Sequence, residues 1–441
     1  MVFKGTQANI SNESGDLLMS SNGIWIANSS GDTMMNGGGL NPSYLATAWP
    51  YGIPLGHGNL TIPLPGDSNK LVLFHMSRWG QFALSLSALY KTEIDLQLDG
   101  GLGGITNKND TLTVDTLSWG VGSCKHSNGR DWWVISVKDG NPVLIKYLIT
   151  PTGVDTITTQ LLPITSNTYG NVSPIIFSQD GSKVIYCTPI NQVPSGKLII
   201  ADFDRCTGTL SNIVGIMLTP NEYLLGLSFS PSGKFVYACS SNQIFQVDTD
   251  NLSVDTVATY DGFVSPVGST CCATTFWNMY LAANGKIYVT SGSGVQHIHE
   301  INYPDSAGIA CDVQQHAIDL GYAQLRSVPN HPNYYLGCDT ALGCPCLTTV
   351  IEEHGSHEFR FNVAPNPTSG NFKITYLLPQ NQPGKLEIFD TNGRRIYEMN
   401  LPQWSTMQEV ILPKSISSGV YNCVITSGGE RGSRKVVVYK E

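Results

Sequence analysis

Apolar and polar residues alternate in short bursts along most of the chain. In "KIYVT" (286–290), Ile287 and Val289 share one face and Tyr288 takes the other, the period-two pattern of a half-buried strand. The burst follows a polar turn built on Gly285, and the same sequence of features recurs. "FSQDGSKVIYC" turns at Gly181, "FSPSGKFVYAC" at Gly233 and "LAANGKIYVTS" at Gly285, a spacing of 52 residues each time. One further step of 52 back reaches Gly129 in "CKHSNGRDWWVIS". Weaker copies turn at Gly15, near Asn69 and near Asn333. The Asp-Gly, Ser-Gly and Asn-Gly pairs suit tight hairpins because glycine tolerates a positive φ.

A period of about 50 residues with room for four strands predicts a WD40-like β-propeller of about seven four-stranded blades over residues 1–350. Each blade is apolar on both faces and must stack on its neighbours, and closing the ring removes the exposed ends. Residues 351–361 read as a linker. Past them the register breaks. Six or seven short strands, among them "NFKITYLL", "GKLEIFD" and "GVYNCVITS", occupy residues 362–441 between Asn-Gly, Pro-Gly and Gly-Gly turns. There Phe372, Ile374 and Tyr376 alternate with Lys373 and Thr375. That pattern predicts a small Ig-like antiparallel β-sandwich, starting at Phe372. The whole chain reads as all-β.

Composition agrees, with only 13% charged residues, 45 Gly and 24 Pro in 441. The net charge of −9 divides unevenly: residues 1–358 are acidic and the remainder is basic. An acidic main body repels phosphates and argues against a nucleic-acid partner. No apolar run of about 20 residues is present, so no transmembrane helix is expected. The 11 Cys are scattered, as in exported, oxidised proteins, and their odd number leaves at least one thiol unpaired within the chain. Cys338, Cys344 and Cys346 offer a metal set, but disulfides or buried thiols are the favoured reading.

The C-terminal words "PNPTSGNFKI", "LEIFDTNGRRIYE" and "ISSGVYNCVITSGGERGSRKVVVYK" resemble the type A sorting domain of the type IX (Por) secretion system of the Bacteroidetes. Pro365, Asn366, Pro367, Gly370, Asp390, Gly393, Gly419, Tyr421 and Lys435 carry the resemblance. It implies handling by the type IX machinery and a secreted or cell-surface protein. The words "QANISNESGDLLM", "HSNGRDWWVI", "DFDRCTGTLS" and "PNHPNYYLG" resemble the propeller proteins that carry such tails. That family has a secretory signal ahead of the first blade. "MVFKGTQANI" lacks one, so the expectation is a start that is truncated or misassigned.

Candidate chemistry is sparse, and no cofactor is evident. His126, Arg130, Asp131 and Trp132 form a potential ligand cluster, weighed against simple blade packing. His297 and His299 fall on one strand face and could chelate a metal, against an ordinary exposed strand face. Asp202, Asp204, Asp248 and Asp250 suggest calcium, but they lack the full spacing of a calcium loop and favour turns. "GDSN" (66–69) precedes a strand, whereas a nucleophile elbow leads into a helix. The expected function is therefore an exported module that binds an extracellular protein or glycan. The alternative is a hydrolase or lyase acting at the channel mouth, where carboxylates from different blades would converge.

Overall fold

The structure, a computed structural model, describes residues 1–12, 15–79, 86–138, 143–163, 174–190, 193–267, 270–347, 361–379 and 382–440. It is all-β, and its four-stranded sheets follow one another along the chain. Six four-stranded blades are seen among the described residues. Their innermost strands are Ala8–Ser11, Asn59–Leu64, Gly122–Lys125, Ile176–Phe177, Gly226–Phe229 and Met279–Leu281. In each blade the chain starts at the channel and works outward, each strand antiparallel to the last. Burial follows: Trp132–Val137 of blade three is buried throughout, whereas the outermost strand of that blade, Gly153–Leu161, is largely exposed. Blades one and two also meet at their outer edges, where Met35 pairs in parallel with Gly104.

All six blades turn from first to second strand through a glycine at positive φ: Gly15, Gly66, Gly129, Gly181, Gly233 and Gly285, with φ between 71° and 87°. At Gly181 the need is double. A Cβ there would lie 2.6 Å from Cys124 Sγ and 2.9 Å from Arg205 Cδ. The seventh expected unit is different. The residues around Asn333 form no blade; they run down the central channel. A two-stranded hairpin, Val264–Val267 with Thr270–Ala273, stands between blades five and six.

The C-terminal unit is a sandwich of a three-stranded and a four-stranded sheet. Its alternation is as expected, with Phe372, Ile374 and Tyr376 buried and Lys373 and Thr375 exposed. It begins one strand before Phe372, however, with Phe361–Ala364 paired along Lys373–Tyr376. The expected linker therefore ends at Phe361, a core residue of the sandwich, and its other residues lie outside the described ones. Tyr421 donates its hydroxyl to Ser417 O at 2.8 Å, the backbone tie of a tyrosine corner. The sandwich touches the propeller at the first turn of blade six: Thr406 N–H and Ser405 Oγ–H donate to Ala283 O at 2.9 and 2.8 Å.

Candidate functional site: a filled channel and a sorting domain

The channel is where blades converge, so it is the first place to look for a ligand site. Here the chain fills it. After the outermost strand of blade six, residues 325–347 enter on the face that carries the connections between blades. Arg326 Nε–H donates to Gly292 O at 3.1 Å, and its guanidinium stands 4.5 Å from the Trp277 ring. Deeper, Asn330 Nδ2–H donates to Val121 O at 2.7 Å and Asn59 O at 3.2 Å. His331 Nε2 lies 3.0 Å from Asn9 O and Nδ1 lies 2.8 Å from Tyr280 OH. Asn333 donates to Gln179 O, and Tyr334 OH to Thr61 O.

The segment leaves on the opposite face. There Arg205 Nη2–H donates to Gly337 O at 2.6 Å and Asp339 N–H to Ser127 O at 2.8 Å. Two disulfides sit at this exit, Cys206–Cys344 and Cys338–Cys346. The three cysteines weighed as a metal set are thus all in disulfides.

Among the described residues a cavity of about 60 Å³ lies in the channel, between residues 329–333 and the inner strands. It has room for a few waters, each needing about 10–15 Å³. No Asp or Glu lines it, so it holds no pair of carboxylates. His57 borders it; burial pushes its imidazolium down to about 4, with the Asn330 side chain opposing.

The residues singled out in "HSNGRDWW" surround the exit. Trp132 is in the core, with Tyr334 of the channel segment edge-on to its ring at 6.0 Å. Arg130 forks onto Asp131 through Nε and Nη2 at 2.7 and 3.1 Å. Asp131, itself buried, also accepts from Asn128 Nδ2 at 2.8 Å. The His126 ring stacks on Trp133 and accepts from Asn128 N–H at Nδ1. Burial lowers its pKa, and the Asp131 carboxylate opposes the shift. These polar groups engage one another within the turn, and Leu347 N–H and Asp339 N–H anchor to its Asn128 and Ser127 carbonyls.

His297 and His299 both turn toward residues 263–276. Ser265 Oγ is 3.1 Å from His297 Nδ1, and Asp319 is 4.0 Å from its Nε2. Ser265 is fully buried. His299 is buried edge-on to Phe276 and accepts His316 N–H at Nδ1. Burial, with His316 adding, pushes its pKa down to about 4. Among the described residues no group of three His, Cys, Asp or Glu is gathered as metal ligands. Asp204 and Asp248 hold turns: each Oδ1 accepts two backbone N–H groups, from residues 206 and 207 and from residues 250 and 251. Asp202 pairs with Lys183 at 2.8 Å. In "GDSN", Gly66 forms the hairpin turn of blade two with Pro65, and Asp67 opens the next strand, paired with Leu64.

The sorting-motif residues meet at two places in the sandwich. Asn366, between the cis prolines Pro365 and Pro367, bridges to the last strand: its Nδ2–H donates to Lys435 O and its Oδ1 accepts Val437 N–H. Gly370, at φ 118°, lets the chain turn back so that its carbonyl accepts Leu412 N–H. At the other place Asp390 caps a hairpin turn, accepting Asn392 and Arg394 N–H, with Gly393 at φ 77°. Gly419 and Tyr421 begin the strand Gly419–Ser427.

A propeller joined to an Ig-like sandwich, with the motif residues holding the sandwich's hairpins and edges, defines a two-part β protein. Residues 362–439 match the family described as the secretion system C-terminal sorting domain. The chain therefore carries a type IX sorting domain and is directed to secretion or the cell surface. No helix among the described residues is long and apolar enough to cross a membrane. No curated protein matches the chain. Solved structures with some similarity include hydrazine synthase from Kuenenia stuttgartiensis, at 12% identity and TM-score 0.37, covering 68% of this chain and 76% of that one. Another is an α-L-arabinanase from Penicillium chrysogenum, at 11% identity and TM-score 0.39, covering 66% and 89%. Neither likeness bears on activity.

Proposed function

We propose that the propeller is an exported binding module for an extracellular glycan or protein. The supporting observation is the filled channel: the site where a propeller enzyme gathers its catalytic groups is occupied by residues 329–338 of the chain itself. Recognition then falls to the surface. Among the described residues, one feature there is aromatic. Tyr44, Trp49 and Tyr51 are 46%, 45% and 74% exposed, on and just after the short helix Tyr44–Ala48. That helix rests on blade two through Ser43 and Ser77, two residues from the exposed Trp79. Flat rings with a polar edge suit sugar faces and protein hot spots alike.

The test is to probe the purified full chain on arrays of soluble polysaccharides and immobilised extracellular proteins, beside a Trp49→Ala/Tyr51→Ala double variant. Binding that falls at least tenfold in the variant supports the reading. Binding indifferent to the substitutions, or turnover of an arrayed polysaccharide or peptide, overturns it.

A further inference from the structure

A ring of consecutive sheets has one joint that no direct blade-to-blade connection of the chain crosses, that between the last blade and the first. Here that joint lies between blade six and blade one, the last and first in chain order, and among the described residues neither borrows a strand from the other. The channel segment spans this joint. His331 takes Tyr280 OH of blade six on one ring nitrogen and Asn9 O of blade one on the other. The Asn9 amide oxygen lies 2.6 Å from the same Nε2. The neutral ring with hydrogen on Nε2 satisfies all three, accepting at Nδ1 and donating at Nε2, and burial lowers the pKa of His331 in keeping with that form. The segment also bonds blade two through Asn330 and Tyr334, blade three through Asn330 and Asp339, and blade four through Asn333 and Gly337.

The exit is built to hold what has passed through. Cys206–Cys344 fixes the segment to blade four across a sequence separation of 138. Cys338–Cys346 closes a short loop outside the channel. Gly129 packs against this loop, since a Cβ there would stand 2.9 Å from Cys338 N. Arg205, adjacent to the first bridge, is buried and donates to both Lys125 O and Gly337 O.

We propose that residues 325–347 are a threaded clasp that closes the propeller, and that the two exit disulfides lock it. The ring is then completed only in an oxidising compartment. Each bridge forms as two thiols give up two electrons and two protons to a disulfide-bearing oxidant, which leaves as a dithiol. Until then the segment is held by hydrogen bonds and packing without a covalent tie, and the joint between blades six and one can open.

The experiment is hydrogen–deuterium exchange on the full chain, oxidised and after reduction with dithiothreitol, which becomes a cyclic disulfide as each Cys sulfur takes a hydrogen. Reduction is expected to raise exchange at least tenfold in 328–347 and in the two joint strands, Ala8–Ser11 and Met279–Leu281. Exchange in Trp132–Val137, away from the joint, stays as it was. An Asn330→Ala variant, with all cysteines intact, is expected to give the same pattern at a smaller amplitude of about threefold. The idea is overturned if the segment loosens while the joint strands keep their protection, if reduction leaves the segment protected, or if all blades lose protection together in both the reduced protein and the variant.

Discussion

His75 sets up a steep response to acid. It is fully buried in blade two. Its Nδ1 lies 2.7 Å from Asn41 Oδ1, and Asn41 spends its own Nδ2–H on Gly23 O. That orientation makes His75 Nδ1 the donor. Its Nε2 is 2.8 Å from Thr92 Oγ1, which already accepts Asn109 N–H and so donates to the ring. The site is wired for neutral imidazole, and burial pushes the pKa from 6.5 to about 3. The unfolded chain takes a proton near pH 6.5 that the folded one refuses until about pH 3. Stability is therefore complete above pH 6.5 and lost as pH falls through the interval. Two-state linkage makes this about 2 kcal/mol between pH 6.5 and 4.5, and about 5 kcal/mol once both pKa values are passed. Urea denaturation of wild type and His75→Gln at pH 6.5, 5.5 and 4.5 measures it. The variant is expected to start less stable, because it loses the paired geometry, and to fall less steeply by about 2 kcal/mol over that range. Parallel curves for the two proteins would refute the assignment of His75 as a buried neutral group.

Other expectations follow from single contacts. Replacing Cys206 and Cys344 by Ser should lower stability to denaturant by up to about 5 kcal/mol, the chain-entropy value for a loop of this separation; a loss below about 1 kcal/mol would mean that the channel bonds alone hold the segment. Gly181→Ala should cost about 2–3 kcal/mol in the same assay, since it adds left-handed strain to a close approach to Cys124 and Arg205. Asp131→Ala should cost about 2 kcal/mol by orphaning Asn128 Nδ2 and Arg130; unchanged stability would point to a carboxylate kept for a ligand instead. Tyr421→Phe should loosen the sandwich by about 1 kcal/mol, read as faster exchange in Gly419–Ser427.

Which parts of this architecture could be read from the chain follows from how local their causes are. A blade announces itself because its turn needs glycine at positive φ and its strands need alternation. Both are short-range demands, so Gly129, Gly181, Gly233 and Gly285 kept a visible register. The sandwich was legible for the same reason, except for Phe361–Ala364, whose four residues lie ahead of the Pro365 and Pro367 punctuation. Residues around Asn333 carry the same Pro and Asn chemistry as a turn, and so passed for a seventh unit. Their real partners are backbone carbonyls of strands far away in sequence, among them Thr61 and Val121. A carbonyl leaves no mark in a sequence, and the pairing of Cys206 with Cys344 leaves none either. The words "PNHPNYYLGCD" and "CPC" thus belong together as one device. The Asn, His and Tyr side chains bond a ring of carbonyls as the segment passes, and the cysteines stop it from slipping back. With residues 329–334 threaded through the channel, the cavity described there is about 60 Å³, and the exposed Trp49 and Tyr51 are where the proposed binding is to be tested.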